Sequence, residues 1–178
     1  MLTPREAIRK GQVWLRPFGH FLPAEQGYMG FSSAGVCNDF FNRMEDGALV
    51  IIWIRVKNIE PAWTGKFRGI LQLEKIKGNA DFFSSAKGND LRKKSDKDFS
   101  HAIRAVRAWE ASPTKKVPMR DIAPSIWPGK TQSIGHRSAQ MSRSELGNIE
   151  HLLVRQIGVY GQPSVPTRSF KTVATSFV

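Results

Sequence analysis

Five tryptophans, one cysteine, four histidines and a surplus of cations carry what chemistry this chain has to offer. Cys37 stands alone, which excludes an internal disulfide and a cysteine-based zinc site. His20, His101, His136 and His151 are scattered, with no short spacing to one another or to Cys37. A thiol–imidazole pair would have to be assembled by the fold, and Cys37 reads more simply as a small buried hydrophobe. Asp96 and Asp98 sit among lysines and read as solvated charge. Gly129-Lys130-Thr131 has the ending of a phosphate-binding loop, but Pro124 takes the place of its first glycine and no apolar strand leads in. No GxSxG, HExxH or GxGxxG pattern occurs. The catalytic inventory is thin.

The aromatic and cationic inventory is richer. Trp53 lies inside an apolar run and reads as core. Trp63, Trp109 and Trp127 fall at a loop before a strand, a strand end and a Pro-Gly loop. A flat ring in such a place either plugs the edge of a small β-structure or stacks on a planar ligand, and both readings stay open. Lysine and arginine total 27 against 15 acidic residues, a net charge of +12. A field of that sign recruits polyanions, and nucleic acid is the commonest of them in the cell. Lys66, Arg68, Arg104 and Arg107 on expected strands, with Arg92, Lys93 and Lys94 in a basic segment, are candidate phosphate contacts. A solvated surface charge is the plainer alternative for each.

Positioning such groups requires a scaffold. ALVIIWIRV at 48–56 reads as a strand buried on both faces, and KFRGILQLEKI at 66–76 as its neighbour. HAIRAVRAWE at 101–110 is read as a third strand, 12–16 as an edge strand before Pro17, and 136–141 as a further strand. Thr3-Pro4-Arg5-Glu6 has the residues to cap a short helix. Val36, Phe40, Phe41 and Met44 repeat at helical spacing, with Gly47 as the stop. Residues 78–97 read as a long exposed loop and 117–123 as a short element. Ser142-Arg143-Ser144-Glu145 is a capping-box sequence, opening a helix with its stripe on Leu146, Ile149, Leu153 and Ile157 and its end at Gly158. Residues beyond Tyr160 read as a loose tail.

At 178 residues and 40% hydrophobic content the chain is long and apolar enough for one folded domain. No apolar run approaches the roughly 20 residues needed to span a bilayer. The first residues lack the apolar centre of a signal peptide, so the expectation is a cytoplasmic protein, or a nuclear one in a eukaryote, without a membrane partner.

Four stretches together resemble the PUA-like superfamily, its YTH and EVE domains in particular. GYMGFSSAGVCNDFFNRM is similar to the family's strand-to-helix passage, in which an Asn such as Asn38 follows a small-residue turn. DGALVIIWIRV with GKFRGILQLEKI resembles the strand pair joined through a G-x-F-x-G turn, here Gly65-Lys66-Phe67-Arg68-Gly69. AIRAVRAWEASPTKKVPMRDI is similar to the V-x-W strand and the short element after it, with Val106 and Trp109 one residue further apart than in the family. SAQMSRSELGNI resembles the closing strand and helix. Met29-Gly30-Phe31 stands where the YTH pattern has a tryptophan. The match runs from about Tyr28 to Gln156.

The resemblance implies an α+β fold, a small, partly open β-barrel flanked by helices, over 28–157. Residues 1–27 would then be an N-terminal extension and 158–178 a C-terminal tail. It also implies a non-enzymatic domain that takes a single base, methylated in the sharpest version, into an aromatic cage beside a basic groove. The partner would be RNA or DNA, single-stranded or with a flipped base, and no cofactor or metal is called for. Carried over by position, Phe31, Ser32 and Ser33 form a wall and its polar floor, and Asn38 reads the base edge. Trp109 is the second wall, with Trp63 and Trp127 as further aromatic surfaces, Trp127 as a lid. Two rivals stand beside it: a nucleotide-processing or modification enzyme of the same fold using Cys37 or an unpaired carboxylate, and an assembly protein that binds RNA shape alone.

Overall fold

A computed structural model describes residues 1–17, 28–31, 36–54, 66–76, 79–85, 101–111, 119–122, 139–153 and 155–159. Its centre is the strand that is apolar at nearly every position. β3 (Ala48–Ile54) has no polar face, so both its sides must be covered, and Ala48 to Ile52 are all 0% exposed. It lies between β1 (Val13–Pro17), which runs parallel to it, and β4 (Lys66–Lys75), which runs antiparallel. β5 (His101–Glu110) follows β4, and β6 (Ala139–Gln140) closes the other end against β1. β2 (Tyr28–Phe31) and β7 (Arg155–Ile157) both pair with β5. The result is a seven-stranded mixed sheet, open among the described residues, in an α+β chain.

Side-chain alternation splits the core into two layers. On the first face Val13, Leu15, Leu49, Ile51 and Ile70 meet Ala7, Met141, Leu146 and Ile149. Ala7 comes from α1 (Pro4–Arg9). On the second face Trp14, Val50, Ile52, Leu71 and Leu73 meet Phe40 and Met44 of α2 (Val36–Arg43). Trp14 and Phe40 stack edge-to-face at 5.1 Å, and the Arg43 guanidinium lies 5.2 Å from the Trp14 ring. A third, smaller cluster forms where Phe83 of α3 (Asn79–Ser84) packs on Ala102. A one-turn α4 (Met119–Ile122) adds Ile122 to the first face.

The α1 cap forms as its sequence requires. Thr3 accepts from the Glu6 N–H, Glu6 accepts from the Thr3 N–H at 2.8 Å, and Pro4 fills the first turn. Gly47, at φ +97°, makes the turn into β3 and lies directly under the backbone of Leu2.

Several expectations are corrected. β1 lies inside the sheet, between β3 and β6, not at its edge, and Trp14 and Leu15 are buried. The 78–97 segment is not wholly exposed loop, because Phe82 and Phe83 give α3 an apolar side to pack. The helix after Ser142 is two 3₁₀ stretches, Arg143–Asn148 and Glu150–Leu152, followed by β7. The capping box does form, with the Ser142 hydroxyl 2.7 Å from Glu145. Leu146, Ile149 and Leu152 recur every three residues, which suits the 3₁₀ period, and Gly147 weakens an α-helix here. Val159, just past Gly158, is buried against the second face. The tail beyond it lies outside the described residues.

Candidate nucleic-acid interface

β4 and β5 place the cations. Two cross-strand pairs, Glu74 with Arg104 and Gln72 with Arg107, sit side by side in the ladder. Leu71, Leu73 and Ala108 belong to the second face, so alternation puts these pairs on the first. There they interrupt an apolar layer, with Ile70 and Trp109 on one side and Ile76 and Ala102 on the other. Arg104 and Arg107 are exposed. Arg104 is ion-paired to Glu74, whereas Arg107 has no carboxylate partner among the described residues. Arg68, the extra residue where the β3–β4 register shifts, is also exposed and unpaired among the described residues. At the end of β5, Glu110 meets Arg155 of β7 at 3.8 Å. Arg104 and Arg107 thus form a solvent-facing cationic band on a sheet face that is otherwise packed, and the Glu110–Arg155 pair lies on the opposite face.

The second face carries an aromatic pole. Phe41 of α2 meets His101, the first residue of β5, with ring centroids 4.6 Å apart. The Lys75 ammonium lies 5.0 Å from the Phe41 ring centroid and 3.5 Å from the Asn42 carbonyl. Asp46 receives the Lys75 backbone N–H at 2.8 Å, fixing the end of β4 here. Phe31 on β2 is the backbone partner of His101, and Asn38 lies one helical turn before Phe41. Two of the expected base-binding residues are thus brought to one pole of the sheet. Sequence reading missed Phe41, His101 and Lys75, because they come from three elements and share no spacing.

Trp109 is not at that pole. It lies eight residues along β5 from His101, roughly 25 Å of strand, so it cannot face Phe31 across a cage of one base. Trp109 as a residue is 4% exposed and packed with the first-face core, the place of a plug. Ser32, Ser33, Trp63, Trp127, Arg92, Lys93 and Lys94 lie outside the described residues. Lys66 is described as backbone only, paired with Ile54.

Among the described residues, no group of three His, Cys, Asp or Glu side chains is placed to hold a metal ion. No described helix is long and apolar enough to cross a membrane. No protein-family model and no curated protein matches this chain.

Proposed function

We propose that this protein binds single-stranded nucleic acid through the cationic band of β4 and β5. The observation that carries the reading is the exposed Arg104–Arg107 band on a sheet face otherwise used for core packing, in a chain of net charge +12. Glu74 gives Arg104 a structural partner and buried Gln72 bonds the Leu2 and Gly47 carbonyls, but the exposed Arg107 and Arg68 have no carboxylate partner among the described residues. A phosphate backbone calls for such cations. The PUA-like resemblance supports a finer version, in which the sheet curves into a partly open barrel and a modified base is held near Phe31 and Asn38. In that version Phe41 and His101 supply the stacking surface that Trp109 does not.

Fluorescence anisotropy with short single strands of RNA and DNA, unmodified and methylated, tests both levels. Three phosphate contacts give a log–log salt slope of about −2, so affinity should fall roughly 20-fold between 50 and 200 mM salt. Absence of binding at the lower salt would end the nucleic-acid reading. A methylated strand that binds no better than its unmodified twin would end the base-reader version and leave a backbone binder.

A further inference from the structure

Arg104 and Arg107 are three residues apart, and in a regular strand that spacing puts two side chains on opposite faces. Here they share one. Leu73 pairs with Ala105 and Gln72 with Arg107, so Val106 is an extra residue in the β4–β5 ladder. The core records the same shift: Ala105 and Ala108, also three apart, both pack in the second-face cluster. A bulge disrupts the ladder locally and re-aims a side chain. The side chain aimed here is Arg107, which joins Arg104 on the first face.

Their partners Glu74 and Gln72 are two positions apart on β4, so the arginines stand on neighbouring rungs about 7 Å from one another. That is close to one nucleotide step of an extended strand. The Ile70–Trp109 rung on one side and Ile76 with Ala102 and Phe83 on the other are apolar, so the band is two rungs long. Neither arginine is fully engaged by its neighbour. Arg104, its side chain 44% exposed, gives its Nε–H to Glu74, which leaves the terminal guanidinium nitrogens for a second acceptor. Gln72 donates to the Leu2 and Gly47 carbonyls, and its buried Oε1 accepts no hydrogen bond from Arg107. Arg107 is exposed, with no carboxylate partner among the described residues.

Resting on the nucleic-acid reading above, we infer that the Val106 bulge builds a two-rung clamp for consecutive phosphates of one strand. Arg104 takes one phosphodiester and Arg107 the next. Affinity then depends on how negative charges are arranged along the strand, and not only on how many there are. A merely basic surface responds to their number alone. Arg155, beside Glu110 on the opposite face, takes no part.

The test uses two short single strands of equal length and charge, each with half of its linkages replaced by neutral methylphosphonates. In one, charged and neutral linkages alternate; in the other, the charged linkages form one uninterrupted run. Anisotropy with the full chain should show the uninterrupted run bound about fivefold tighter, the size of one charge-assisted contact. Arg104→Gln and Arg107→Gln should each erase that preference and lower the salt slope by about 0.7, whereas Arg155→Gln should leave the preference intact. Equal affinity for the two strands, or a preference that survives Arg107→Gln, would overturn the clamp and leave the nucleic-acid reading standing. No binding of the fully charged, unmodified strand would remove both.

Discussion

Replacing Gly47 by alanine tests the joint that fastens the N-terminus to the sheet. The residue has φ +97°, where a side chain costs about 1–2 kcal/mol in backbone strain alone. A Cβ would also stand 2.4 Å from the Leu2 carbonyl oxygen and 2.5 Å from its nitrogen. Ordinary contact begins near 3.4 Å, so Leu2 must retreat by about 1 Å (3.4 less 2.4). Two hydrogen bonds hold Leu2 in place, its N–H to the Asp46 carbonyl and Gln72 Nε2 to its own carbonyl, both at 2.8 Å. Such a retreat takes both beyond bonding distance, at about 1 kcal/mol each. The expected cost is therefore about 3–4 kcal/mol, or roughly 6–16 °C in melting temperature for a chain of this size. Urea and thermal denaturation followed by circular dichroism measure it. Repeating Gly47→Ala in a chain lacking Met1 and Leu2 should recover only the strain, about 1–2 kcal/mol, with the difference appearing as coupling. A cost under 1 kcal/mol, or two changes that simply add, would refute the clash with Leu2.

Gln72 is 0% exposed and its amide donates to both the Leu2 and Gly47 carbonyls. Gln72→Met should cost about 1–3 kcal/mol in urea denaturation, and Gln72→Glu more, with the excess shrinking as pH falls and the buried carboxyl is protonated. The Thr3 backbone N–H, and after it the Thr3 hydroxyl, donate to the Glu6 carboxylate and hold its pKa below the ordinary glutamate range. Because the folded value is depressed, this cap contributes stability above the ordinary value and loses it as pH falls through the lowered one. NMR titration should show Glu6 with an acid-shifted midpoint, and Thr3→Val should move that midpoint upward. Glu74 neutralises Arg104 in the cationic band, so Glu74→Gln should tighten single-strand binding about twofold to fivefold and steepen its salt dependence. An unchanged or weaker affinity in anisotropy would take Arg104 out of the interface.

What could be read in the sequence was what is local. The run at 48–54 announces a doubly covered strand because nothing in it tolerates water, and Thr3, Pro4 and Glu6 specify their cap within four residues. Phe31 and Asn38 enter as candidates only through the resemblance, whose strand-to-helix stretch contains both. The failures arise where distant segments decide. Leu146, Ile149, Leu153 and Ile157 form a fair helical stripe, yet Ile157 is claimed by β5 as part of β7, and pairing with a strand some 50 residues away leaves no trace in a local period. β1 looked like an edge because Pro17 ends it, but its parallel partner β3 arrives only after α2 has crossed the sheet. The same limit governs the site. Trp109 has the residue type of a cage wall, and only the register of β5, with Phe31 opposite His101, separates the two by eight positions. Composition carries only the class of partner proposed above, a polyanion, through the net charge of +12. Which cations share a sheet face follows from strand pairing and the bulge at Val106, properties that no single residue carries by itself.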